Sequence, residues 1–125
     1  MPRKFAKHTY VPVEQSRGQI RAIIGAYGGL LLDERDDVPG RTIIMFRSNH
    51  TTPRHLRVML QWPVNNVPEE QRKWRSLFLD IKAKFVAVDD GIETFDQVFM
   101  AWIIGENGLT IYEMAQELRL LPPAA

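Results

Sequence analysis

The chemistry this chain can carry is concentrated in its middle. Between positions 41 and 84 stand nine cations, Arg41, Arg47, Arg54, Arg57, Arg72, Lys73, Arg75, Lys82 and Lys84, against Glu69, Glu70 and Asp80, a net charge of +6. Residues 1–40 are nearly balanced, and residues 85–125 set Arg119 against seven acids, so a total of +1 hides a basic middle and an acidic C-terminal third. Such segregation is the electrostatic footprint of an anionic partner. Trp62, Trp74 and Phe46 lie close by in sequence. Single strands are held by basic grooves whose aromatic side chains stack on bases. On this reading Arg41, Arg47, Arg54, Arg57, Lys73, Arg75, Lys82 and Lys84 neutralise phosphates. Trp62, at a strand end beside Pro63, is the ring expected to be exposed for stacking, whereas Trp74 and Phe46 fall on apolar stripes and belong to the core.

Other chemistries are poorly supplied. His50 and His55 are five apart across a proline-containing linker, His8 is remote, and no H-E-x-x-H is present. The absence of cysteine removes disulfides, thiolate metal sites and a cysteine nucleophile. Asp33, Glu34, Asp36 and Asp37 are interrupted by Arg35 and lack the glycine and terminal glutamate of a calcium loop, so they read as a solvated hairpin turn. No G-x-S-x-G elbow surrounds Ser16, Ser48 or Ser76, and the glycine pairs match no phosphate loop. The expectation is a non-enzymatic protein with no cofactor and no metal. Asp89-Asp90 at the end of a long helix opposes the helix dipole. Such a pair suits a basic partner or an oligomer contact.

The elements that must position these residues form an α+β domain of order αβββααα. The chain has 125 residues, 45% of them apolar, one domain's worth with enough apolar surface for a core. The longest periodic stretch is Pro68–Gly91, where Trp74, Leu77, Phe78, Ile81, Phe85 and Val88 make one helical stripe. Pro68, Glu69 and Glu70 suit its start and Gly91 its close. A first helix is expected within Val13–Tyr27, with Ser16 and Gln19 at capping-box spacing and Gly25 available for a close approach to the sheet. Three strand-like runs follow, at Leu30–Glu34, Arg41–Arg47 and His55–Trp62, the first two joined by an acidic turn over 35–40. In the third, Leu56, Val58, Leu60 and Trp62 face one way and Arg57, Met59 and Gln61 the other. In the second, Ile43 and Met45 make the opposite face apolar as well. Short connections imply an antiparallel meander, packed on the long helix. Thr94 with Gln97 and Thr110 with Glu113 start two shorter helices. Residues 1–10 read as a loose basic arm, 11–121 as one domain and 122–125 as a tail. No run approaches the ~20 apolar residues of a membrane span, and MPRKFAKHTY lacks the apolar region of a secretory signal. A cytoplasmic location with no membrane partner is expected.

Two blocks, VPVEQSRGQIRAIIGAYG (Val11–Gly28) and RKWRSLFLDIKAKFVAVDDGIETFDQVFMAWII (Arg72–Ile104), resemble a group of small uncharacterised proteins encoded by bacteriophages and prophages. The αβββα order also looks like the core of phage single-strand annealing proteins, an analogy of fold alone. The resemblance implies a phage genome and a host cytoplasm, with roles in DNA replication and recombination or against host defence. It carries no catalytic residue. The leading expectation is therefore binding of single-stranded nucleic acid, probed through Arg57 and Lys82. The alternative is a protein-interaction module, either a homo-oligomer in which the 41–84 face of one copy meets the 85–125 face of another or an inhibitor of a host defence complex. A small-ligand domain is a third class, for which no ligand is indicated.

Overall fold

The computed structural model describes residues 11–50 and 52–124. The expected N-terminal arm lies outside the described residues. Within them the element order is αβββααα, as the sequence implies.

Helix α1 spans Val13–Ala26 and buries Ile20 and Ile24. It starts directly after Pro12, with no side-chain cap, so the expected Ser16–Gln19 box does not form. Ser16 is instead a buried residue inside the helix. Pro12 fixes its own φ near the helical value, at −55°, and Pro12 O accepts from the Gln15 and Ser16 amides at 3.0 and 3.2 Å. The close approach expected at Gly25 occurs at Gly29. A Cβ there would sit 2.8 Å from Ile24 Cγ2 and 3.1 Å from Arg47 O, whereas Gly25 faces open space.

Strands β1 (Gly29–Val38), β2 (Arg41–Ser48) and β3 (Arg54–Gln61) form one antiparallel sheet in the order β1-β2-β3. β1 runs four residues further than Glu34, so the acidic segment is largely strand, and the hairpin turn tightens to Pro39-Gly40, with Gly40 at φ +78°. The acids are not a solvated turn because cations and a hydroxyl claim them. Glu34 accepts from Arg17 at 2.6 Å and from Arg21 at 2.8 Å, and Asp36 accepts from Thr42 Oγ1 at 2.5 Å and from Arg17 at 3.4 Å. Two register shifts, at Leu31/Asp33 and Asp36/Val38, let β1 send Glu34 and Asp36 inward and Asp33 and Arg35 outward.

Helix α2 spans Val67–Asp89. The Asn66 side chain caps it by accepting from the Glu69 amide at 3.2 Å. At its end Gly91 takes φ +72°, while Gly91 N donates to Val88 O and Ile92 N to Ala87 O, each at 3.0 Å, a Schellman closure. Trp74, Leu77, Phe78, Ile81 and Phe85 form its buried stripe. They pack with α1 and with Ile44, Phe46 and Leu56 of the sheet's inner face. Burying each such side chain contributes on the order of 1.5–3 kcal/mol. Helix α3 (Phe95–Phe99) extends the core through ring contacts of Phe99 with Phe85 at 5.0 Å and with Phe95 at 4.5 Å. Its Thr94–Gln97 capping box forms as expected. A 3-10 turn (Met100–Trp102) leads to Ile103-Ile104, which runs beside β3: Ile103 bridges Leu56, and Ile104 N donates to His55 O at 2.8 Å. Helix α4 (Ile111–Glu117) starts from the Thr110–Glu113 capping box.

Candidate nucleic-acid interface

Strand alternation gives the sheet two unlike faces. On β2, Thr42, Ile44, Phe46 and Ser48 are buried against the helices, so Arg41, Ile43, Met45 and Arg47 point the other way. Ladder pairing extends this outer face sideways. Ile43 lies between Arg35 and Met59, Met45 between Asp33 and Arg57, and Arg47 between Leu30 and His55. The apolar second face of β2 is thus not covered by a helix layer, as its pattern implied. It forms the floor of a concavity of about 740 Å³, walled on one side by Trp102 and by Tyr112, Glu113 and Gln116 of α4. Met59 at 50% and Tyr112 at 48% exposure are its most accessible large apolar groups.

Arginines ring this floor, most with a carboxylate partner. Arg41 makes a two-pronged pair with Asp37, its Nε 2.9 and 3.0 Å from the two oxygens. Arg35 lies 3.8 Å from Asp33. Arg57 binds the Glu113 carboxylate and also donates to Gly108 O at 3.1 Å. Arg47 has no carboxylate partner among the described residues, and its Nε donates to Asn49 Oδ1 at 3.1 Å.

The nine residues singled out from the sequence are therefore dispersed. Arg41, Arg47 and Arg57 share the open face. Arg54 lies opposite Ser48 on the inner side and is held by Asp96 of α3 at 2.6 and 3.0 Å. Lys73, Arg75 and Lys82 ride on α2 behind its apolar stripe, while Lys84 on the same helix reaches the Trp102 wall of the concavity. Arg75 donates to Gln19 at 2.5 Å and lies over Phe78, while Lys84 pairs with Asp80 at 3.1 Å and lies over Trp102. Among the described residues, Trp74, Phe78 and Ile81 fill the space between sheet and helix where such a groove would lie. Trp62 differs from its expected exposure. It is half-buried with its ring 5.9 Å from Trp74, and its place in the Leu56–Val58–Leu60–Trp62 alternation already directs it inward. The sequence pattern places Arg35 in a turn and gives no sign of Tyr112, whose position depends on α4 folding back toward β3, and it implies covered area for Ile43 and Met45.

Three carboxylates are held below their ordinary values. Asp37 is lowered chiefly by its hydrogen bond from Arg41, Asp96 chiefly by that from Arg54, and Glu113 chiefly by the Thr110 amide, with Arg57 adding to it. A carboxyl lowered on folding stabilises the native state above its unfolded value, and that contribution disappears as pH falls through the native value. The melting temperature is therefore expected to begin to fall as pH drops below about 4, and only modestly on account of these three groups, because Asp96 and Glu113 are well exposed to solvent. Thermal melts at a series of pH values would show this, and an unchanged transition at about pH 2.5 would contradict it.

No family model, curated protein or solved structure matches the chain. Among the described residues no helix is long and apolar enough to cross a membrane.

Proposed function

We propose that the chain binds single-stranded nucleic acid on the open face of its sheet, without catalysis. The observation that carries this reading is the arginine-edged apolar floor: Arg35, Arg41 and Arg57 line it with Ile43, Met45, Met59 and Tyr112, and Arg47 follows on the same face of β2. Unpaired bases have flat apolar faces that pack on such a floor and on a tyrosine ring, and their phosphates reach the surrounding guanidinium groups. A duplex keeps its base faces stacked inside and offers this floor phosphates and groove edges but no flat base face. With the resemblance of Val11–Gly28 and Arg72–Ile104 to phage-encoded proteins, the setting we propose is phage DNA replication or recombination in a host cytoplasm.

Fluorescence anisotropy of a labelled single strand of about 30 nucleotides, with the matching duplex beside it, tests the reading. Three to four phosphate contacts give a slope of log affinity against log salt of roughly −2 to −3 for a single strand. The single strand should bind more tightly than the duplex. Lys82→Glu, on the opposite side of the molecule, should lower affinity by less than about twofold at about 0.15 M salt, where charges a protein's width apart are screened. Absence of binding to either probe at low salt, or a duplex preference, would remove this function.

A further inference from the structure

We infer that a single strand bound on the open face leaves it across Trp102, whose indole stacks on an unpaired base while the Lys84 ammonium meets the phosphate of that nucleotide. This inference rests on the single-strand reading and adds to Tyr112 a second aromatic platform, with a cation from a different element to hold the backbone there. Trp102 ends the 3-10 turn, just before Ile103 begins to run along β3. That placement puts it on the wall of the concavity, with Arg57, Met59 and Tyr112 among the other lining residues. The indole is only partly buried. Its position is fixed by Phe99, the ring centres 5.7 Å apart and the planes at 58°, and by the Lys84 ammonium, 5.0 Å from the ring centre. Trp62 and Trp74 instead pack on each other against the core, Trp74 with no exposure. Of the three tryptophans, Trp102 is the one that a ligand in the concavity can touch.

The placement of Lys84 is not explained by its own helix alone. Asp80, four residues earlier, accepts from its Nζ at 3.1 Å, a pair that a lysine makes on any exposed helix surface. Here the same side chain also reaches from α2 to the indole, and it remains 25% exposed. It therefore brings a cation of α2 to the concavity wall. That cation continues the series that starts at Arg35 on β1 and Arg41 on β2 and passes through Arg57 on β3. Lys82, two positions earlier, is turned by about 200° around the helix axis, away from this wall. A track of cations interleaved with aromatic rings holds a single strand without reading its sequence, because every base has a flat face to stack. The cation–π contact leaves Lys84 its full charge, so the ammonium can hold the ring in place and attract a phosphate at the same time. The Trp102 platform accordingly accepts any unpaired base, thymine included.

Anisotropy with a labelled oligothymidylate of about 30 nucleotides first establishes binding, and the unlabelled strand is then titrated while tryptophan emission is followed. Wild-type emission should fall in proportion to the strand bound. Trp102→Phe should abolish this quenching and keep affinity within about threefold, because a phenyl ring still stacks, whereas Trp102→Leu should lower affinity about tenfold. Lys84→Gln should lower affinity about three- to fivefold at about 50 mM salt and flatten the slope of log affinity against log salt by about 0.7, the share of one phosphate. Lys82→Gln should change neither. Thermal melts identify the variants that fold, and Trp102→Phe and Lys84→Gln keep the test readable should Trp102→Leu fail to fold. Binding without quenching, quenching that survives in Trp102→Phe, or equal effects of the two lysine variants overturns the inference and leaves single-strand binding in place. Absence of any anisotropy change at low salt overturns the single-strand reading and this inference with it.

Discussion

Arg57→Glu is expected to lower affinity for a ~30-nucleotide single strand by about tenfold or more at low salt, and Glu113→Gln to raise it about three- to tenfold. The opposite signs follow from one contact. Arg57 stands at the floor of the open face, between Met45 and the α4 wall, with its guanidinium on the Glu113 carboxylate. That carboxylate occupies the place a phosphate would take, so a ligand must displace it, and removing its charge removes the competitor. The substitution keeps the helix start. Gln97 in α3 makes the same box with Thr94, its Oε1 accepting from the Thr94 amide at 2.8 Å, the distance at which Glu113 Oε1 accepts from the Thr110 amide. The pair of variants is read by anisotropy, with thermal melts confirming that both remain folded. Equal affinities for wild type and both variants would mean that the ligand does not touch this face.

Arg17→Met should destabilise the fold by about 2–3 kcal/mol. Arg17 is an enclosed cation at the sheet–helix junction, with its side chain 13% exposed, and the Glu34 side chain that it binds is 12% exposed. Its guanidinium lies 4.5 Å from the centre of the Trp74 ring while donating to Glu34 and Asp36. Methionine preserves the apolar contact with the ring and removes the charge, so the loss isolates the ionic part. It leaves Glu34 with Arg21 alone, on the wetter side. Denaturant unfolding gives the number. Arg17→Met/Glu34→Gln should recover part of the loss, because no unpaired carboxylate then remains enclosed. A change below about 0.5 kcal/mol would show that the network is dispensable.

The core was legible because its signals are periodic and local. The stripe from Trp74 to Phe85, the β3 alternation and the capping boxes at Thr94 and Thr110 all reappear as structure. The extent of β1 was not legible. A run of acids reads as a turn until Arg17 and Arg21, 13 to 19 positions earlier, are seen to meet it across the α1–β1 junction. The same limit governs the candidate site. Sequence shows that Arg41, Arg47 and Arg57 share a strand parity, yet it does not show that Lys73, Arg75 and Lys82 lie behind the core. Nor does it show that Glu113, 56 positions away, closes on Arg57. Charge totals by segment hide such pairings: Arg54 and Arg57 belong to the basic middle, while their partners Asp96 and Glu113 belong to the acidic third.

The two irregularities in β1 also bear on what happens when this protein is crowded. A three-stranded sheet has two edges, and a flat exposed edge recruits strands from other molecules into cross-β aggregates. Here the start of the β3 edge, at His55-Leu56, is occupied by Ile103-Ile104, and β1 is broken by two register shifts and carries four acids. Each edge is interrupted part-way along its length. Such interruptions work against edge-to-edge pairing between copies when the protein is concentrated.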